Sequence, residues 1–208
     1  MTRSAVSVVT EDDPTPLVLS VARTLRASAR VPELLPVLRG LSGTVVVRSK
    51  DDPQAVTIRF ADGACRVDHG AAPDPDLLLV VDLADRFTIV EVRESEPTAP
   101  LAEAVHSVLE PPLPPWRDAA TGFWEFTGSD PGMPGQLVVT CEDEQSEYVL
   151  GDGLPRYVIS GPSHTLARVF TGTDTFLDAV FTGAVSVRGT LPQLSVMAGA
   201  SLKVRFHA

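Results

Sequence analysis

Residues 157–206, YVISGPSHTLARVFTGTDTFLDAVFTGAVSVRGTLPQLSVMAGASLKVRF, decide how this chain is read. Tyr157 and Ile159 mark one strand, and the run from Thr165 to Phe170 reads as the next. Thr175 and Asp178 have capping-box spacing. Phe176, Leu177, Val180 and Phe181 then share an apolar helical face that Gly183 closes. AVSVRG, residues 184–189, returns as a short strand. Thr190 and Pro192 open a further helix as cap and first-turn residue. In SLKVRFHA, residues 201–208, Leu202, Val204 and Phe206 alternate with Ser201, Lys203 and Arg205, so the chain is expected to end as a strand. A glycine stands at nearly every joint.

Upstream, residues 16–41 carry helical spacing: Leu17, Val21 and Leu25, then Leu34, Leu35 and Leu38. Pro32 and Pro36 imply two helices or a kink rather than one rod. The period then changes to two. Val45 and Val47, then Val56, Ile58 and Phe60, then Cys65 and Val67 predict three strands. Asp62-Gly63 joins the last two with the dipeptide that a type I′ hairpin turn requires. LLLVVDL, residues 77–83, is a continuous apolar run, expected to be a strand covered on both faces. FTIVEVRESEPTAP after it reads as extended and polar. Leu101, Val105 and Val108 place a helix over 100–109, with Pro100 at its start. Phe123, Trp124 and Phe126, then LVVTC (137–141), then Tyr148 and Leu150 are expected to be strands, and Gly151-Asp152-Gly153 a second hairpin turn. Ordered by residue, the expected organisation is a flexible tail over 1–15, an N-terminal half over 16–110, a Pro-rich linker over 111–120 around PPLPP, and a C-terminal half over 121–208. QAVTIRFADGACRVDHG with Asp85-Arg86-Phe87, set beside EYVLGDGLPRYVISG with Asp174-Thr175-Phe176, suggests two degenerate tandem repeats.

The order TGFWEF, LVVTC, EYVLGDG, RYVISG, HTLARVF, TFLDAVFTG, AVSVRG, LPQLSVMAG resembles the sterol carrier protein 2 (SCP2)-like family over residues 121–206. The resemblance implies an α+β fold, in which a twisted, mostly antiparallel sheet carries helices on one face, repeated as two tandem pseudo-repeats. It also implies an apolar cavity between sheet and helices. The wall residues it implies are Phe126, Val139, Tyr157, Ile159, Phe170, Phe176, Val180, Phe181, Leu194 and Met197. The family closes with a longer helix over the cavity mouth, and the alternation in SLKVRFHA departs from that pattern. A strand there implies a shortened lid.

Composition bounds the function. The 208 residues are 44% hydrophobic and 21% charged, a globular balance. A net charge of −10 repels a phosphate backbone, so no nucleic-acid partner is expected. Cys65 and Cys141 are too few for a disulfide framework. MTRSAVSVVTEDDPTP lacks an apolar run of signal-peptide length, and no window reaches a membrane span, so a cytoplasmic protein without an integral membrane segment is expected.

Motifs for chemistry are sparse. His69, His106, His164 and His207 have no second ligand at metal spacing, so no metal site is expected. GPSHT (161–165) lacks the last glycine of a nucleophile elbow. GSDPGMPG (128–135) lacks the lysine of a phosphate-binding loop. The acidic run Glu142-Asp143-Glu144 reads as a solvated turn. No catalytic residue and no cofactor are expected. The leading function is a non-catalytic protein that holds a hydrophobic small molecule, of lipid, sterol-like or polyketide-like type. The alternatives are an assembly module with a self-filled interior, pairing as a homo-oligomer or with a protein partner through the C-terminal segment, and an enzyme that uses the cavity as a substrate pocket through His164 or Asp174.

Overall fold

The computed structural model describes residues 6–83, 88–94 and 99–207. The chain divides into two compact units, residues 1–112 and 113–208, each with its own apolar core. The content is α+β in both.

In the first unit the sheet order is β1 (Ser7–Thr10), β4 (Ala64–His69), β3 (Ala55–Ala61), β2 (Gly43–Ser49), β5 (Leu77–Asp82) and β6 (Thr88–Glu94). β2–β3, β3–β4 and β5–β6 are antiparallel, while β1–β4 and β2–β5 are parallel. Asp62 and Gly63 both adopt positive φ, 51° and 73°, as the I′ hairpin between β3 and β4 demands. Helices α1 (Pro16–Arg30) and α2 (Leu35–Gly40) break between the two prolines as expected, and Thr15 caps α1 through the amide of Val18. Leu17, Val18, Val21 and Leu25 of α1 bury against Ile58, Val67 and Leu79 of the sheet, joined by Val105 and Val108 of α3 (Ala99–Leu109).

Within the expected tail, the Val-rich Ser7–Thr10 adds an edge strand, pinned where His69 meets Glu11 at 2.7 Å. LLLVVD buries Leu77, Leu79 and Val81 but leaves Leu78 and Val80 half-buried, so β5 is covered fully on one face only. The leucine and valine side chains on the second face produced the unbroken apolar run. Asp85-Arg86-Phe87, half of the repeat comparison, lies outside the described residues.

The second unit has the sheet order β10 (Ser186–Arg188), β9 (Arg156–Gly161), β7 (Gln136–Cys141) and β8 (Ser146–Gly151). Helices α4 (Trp116–Thr127), α5 (Ser163–Phe170), α6 (Phe176–Phe181) and α7 (Leu191–His207) supply the other side of its core.

Four expectations fail here, each for a local reason. Phe123, Trp124 and Phe126 are not a strand but the end of α4. The wider window shows why: Trp116, Ala119, Ala120, Phe123 and Thr127 are buried at helical spacing. The Pro-rich segment therefore gives way to helix at Trp116, inside the expected linker. HTLARVF is α5, whose first turn is fastened by Asp143. That carboxylate accepts from the Ser163 amide (2.8 Å) and hydroxyl (2.6 Å). Gly151-Asp152-Gly153 is not a hairpin turn, because β9 pairs in parallel with β7 instead of with β8. The connection passes the start of β7, where the Gly153 amide donates to the Gly135 carbonyl at 2.9 Å. A Cβ on Gly135 would lie 2.6 Å from the Gly153 carbonyl carbon, so the glycines there provide clearance. Finally, SLKVRFHA is not a strand. α7 runs unbroken to His207, burying Met197, Ala200, Ser201 and Val204 at i, i+3, i+4 and i+7. The expected shortening of the last helix is overturned with it.

The segments matched as repeats do not correspond, since HTLARVF is helical where LLLVVD is a strand. A different likeness exists in the strand pairing. In each unit one strand (β2, β7) pairs antiparallel with its successor (β3, β8) and parallel with a later strand (β5, β9), which pairs antiparallel with the next (β6, β10).

Candidate functional site

The residues expected to form a cavity wall converge on the sheet–helix interior of the second unit, with two exceptions. Strand alternation turns Val139 of β7 and Tyr157 and Ile159 of β9 to one face, and all three are fully buried. Phe170 of α5, Phe176 of α6 and Met197 of α7 close over them. Val180 and Leu194 sit half-buried at the edge of this cluster. Phe126 and Phe181 do not join it, at 37% and 78% exposed. Phe126 points away because its segment is helical, and the Lys203 ammonium lies 4.9 Å from its ring centre. Phe181 ends α6 on the outward side.

Residues that the expected wall lacked complete the interior. Phe123 meets Phe170 edge-on at 5.3 Å between ring centres. Leu137, Leu166 and Ala200 fill the remaining spaces. The 3.6-residue spacing that runs back to Trp116 was the signal that would have placed Phe123 inside.

Tyr157 is the chemical exception in this apolar setting. Its side chain is fully buried, and its hydroxyl has no hydrogen-bond partner among the described residues. Burial pushes its pKa up to about 12. The ring lies against Gly189, where a Cβ would come within 2.3 Å of its Cδ2. Beside it, Gln193 donates to the Arg156 carbonyl at 3.3 Å, while its Oε1 accepts from the Thr190 amide at 2.8 Å. The Gln193 amide completes the reciprocal cap through the Thr190 hydroxyl. Gln193 is thus committed to starting α7, and it leaves the Tyr157 oxygen unanswered.

Of the polar residues considered for chemistry, Asp174, Asp143 and Glu144 have structural partners. Arg168 and Asp174 form a bidentate pair, 2.8 and 2.9 Å, at 14% and 21% side-chain exposure. His164 is exposed on the first turn of α5. The acidic run 142–144 is the exposed turn expected, and it also acts as a clamp. Glu144 accepts from the Trp116 indole (2.9 Å) and from Arg117 (2.8 Å), so it ties down α4. Asp143 ties down α5, and it also accepts from the Cys141 thiol at 2.8 Å. The hydrogen bonds from Cys141 and then Ser163 hold the Asp143 carboxyl well below the usual range. Burial raises the Cys141 thiol, and it pushes Cys65 to about 11. Among the described residues no group of three His, Cys, Asp or Glu is placed to hold a metal ion. No helix among them is long and apolar enough to cross a membrane.

No protein-family model matches the chain, and no curated protein matches it in sequence. Among solved structures it is similar to a conserved hypothetical protein of Thermus thermophilus, described as possibly a sterol carrier protein. The identity is 18% over 50% of this chain and 90% of that one, with a TM-score of 0.32. It is also similar to sterol carrier protein 2, at 14% identity over 91% of this chain and 95% of that one, with a TM-score of 0.25. A third structure, a UbiJ-SCP2 ubiquinone synthesis protein, matches at 12% identity over 94% and 98%, with a TM-score of 0.29. The chain is therefore similar to SCP2-domain structures at low TM-score, and its α+β assignment rests on its own strands and helices.

Proposed function

We propose that residues 113–208 hold a hydrophobic small molecule between sheet and helices, as a non-catalytic binding protein. The observation that carries this reading is the Tyr157 hydroxyl, buried and unpartnered in an otherwise apolar interior. Leaving such a group unpaired costs about 1–3 kcal/mol, and native interiors rarely do so. A ligand with an apolar skeleton and one polar atom removes that cost while burying its carbon against Val139, Ile159, Phe170, Phe176 and Met197. Lipid, sterol-like and polyketide-like molecules have that chemistry. Val180 and Leu194, half-buried at the edge, are the residues such a molecule would pass.

The test is binding of a neutral apolar probe, Nile red, to the full chain and to Val180→Trp and Leu194→Trp. Each bulky replacement is expected to abolish binding while circular dichroism stays unchanged. Undiminished affinity in folded variants would overturn the reading.

A second reading, a protein-interaction role, keeps one specific observation. Leu154, Phe181 and Leu191 are large apolar side chains, each more than three-quarters exposed on this unit. It no longer draws on a C-terminal strand, which is helix. Light scattering distinguishes it: Phe181→Ser with Leu191→Ser would lower the mass of an assembly built through these residues.

A further inference from the structure

The first unit carries a cleft of about 410 Å3 between β1, α1 and α2. Its floor is apolar: Val8 of the edge strand and Val6 just before it, with Ala29 and Leu35 from the helices. Its rim is cationic: Arg26 and Arg30 lie one turn apart on α1, and Arg39 comes from α2. Among the described residues no acidic side chain lines it. Arg26 is half-buried, and Arg30 and Arg39 are exposed. This gathering runs against the chain's net charge of −10. Among the described residues neither Arg26 nor Arg30 is joined by a side-chain hydrogen bond or ion pair. Like charges at i, i+4 on a helix repel one another, so the bare arrangement is unfavourable until an anion arrives.

We propose that this cleft binds an anionic amphiphile: a single carboxylate or phosphomonoester head held by Arg26 and Arg30, with an alkyl chain lying over Val6, Val8, Ala29 and Leu35. Guanidinium forks match both head groups bidentately. The volume falls within the roughly 300–1,000 Å3 of small-molecule sites. The floor is too apolar for an inorganic anion to use, and a neutral lipid would leave Arg26 and Arg30 unanswered. The site is separate from the interior of residues 113–208 and does not depend on what that interior holds.

The experiment is calorimetric titration of the full chain with dodecanoate, dodecyl phosphate, dodecan-1-ol and inorganic phosphate, each below its micelle concentration. One or both anionic amphiphiles are expected to bind at least about tenfold more tightly than the alcohol, more weakly as salt is raised. Which of the two binds better identifies the head group as carboxylate or phosphate. Arg26→Gln with Arg30→Gln, and separately Arg30→Glu at an exposed position that folding does not need, should each weaken this binding by about tenfold or more. Leu194→Trp in the other unit should leave the arginine-dependent binding unchanged. Three outcomes overturn the proposal: equal affinity for acid and alcohol once Leu194→Trp has closed the other unit, full affinity in folded arginine variants, or inorganic phosphate binding as tightly as dodecyl phosphate.

Discussion

Replacing Tyr157 by Phe removes one oxygen from the interior of residues 113–208 and leaves its ring contacts in place. In the ligand-free protein that oxygen is buried with no partner, a cost of about 1–3 kcal/mol. The variant should recover it. For a unit of this size about 1 kcal/mol corresponds to roughly 4–8 °C in melting temperature, so ligand-free Tyr157→Phe should melt roughly 4 °C or more above the wild type. Both tryptophans, Trp116 and Trp124, sit on α4, so their fluorescence follows this unit alone. The same substitution should alter the alkaline limb. An unfolded chain releases the tyrosine proton near 10, whereas the folded one holds it to about 12. Stability from this group is therefore intact below pH 10 and lost as pH rises towards 12, and Tyr157→Phe should lack that loss. Loaded with ligand, the gap narrows: the wild type should gain more from ligand than the variant. A ligand-free variant that melts at or below the wild type would refute the reasoning, because the hydroxyl would then already have a stabilising partner.

Four further perturbations follow from the geometry. Gly189→Ala places a methyl against the Tyr157 ring and should cost about 1–3 kcal/mol in denaturant titration followed by tryptophan fluorescence; a silent substitution would contradict the packing. Arg168→Ala leaves Asp174 without its guanidinium at a mostly buried position and should cost about 1–3 kcal/mol by the same assay, with Asp174→Asn smaller in effect. For pH, the depressed Asp143 carboxyl contributes stability above its ordinary 3.8 that is lost as pH falls below it, so Asp143→Asn should flatten the acid limb of a melting-temperature profile. His69 runs the other way. The hydrogen bond to Glu11, and then the charge of that carboxylate, raise the His69 pKa from 6.5. Its hold on β1 is complete below pH 6.5 and fades as pH rises through the folded midpoint, which Glu11→Gln should move down in an NMR titration.

Several elements could be read from residues alone because local and tertiary preferences agree. The two proline-divided helices and the Asp62-Gly63 hairpin are of this kind, as is the capped start of α7. The failures share one cause: a short window that satisfies two periods at once. Phe123-Trp124-x-Phe126 alternates, yet its helical partners Ala119 and Ala120 are small residues that carry little hydrophobic signal. Leu202, Val204 and Phe206 alternate as well, but Val204 is buried in line with Ala200 and Met197, one and two turns back. Topology was harder still. No residue between Gly151 and Arg156 states that β9 will cross to the far side of β7. That placement is decided by the Gly135–Gly153 approach, between residues remote in sequence. For the interior, residue type and strand face sufficed for Val139, Tyr157 and Ile159, while Phe126 failed with the strand it was placed on. The orphaned hydroxyl of Tyr157 could not be foreseen, because it depends on Gln193 having engaged its side chain with Thr190 and Arg156.

The central claim is that residues 113–208 hold an apolar molecule, and native mass spectrometry of the gently purified full chain tests it most directly. A stoichiometric adduct is expected, one that organic extraction recovers as a hydrophobic compound with a polar atom, and that Leu194→Trp no longer carries. A bare mass, with no uptake from a lipid extract and the same spectrum for Leu194→Trp, would contradict the account.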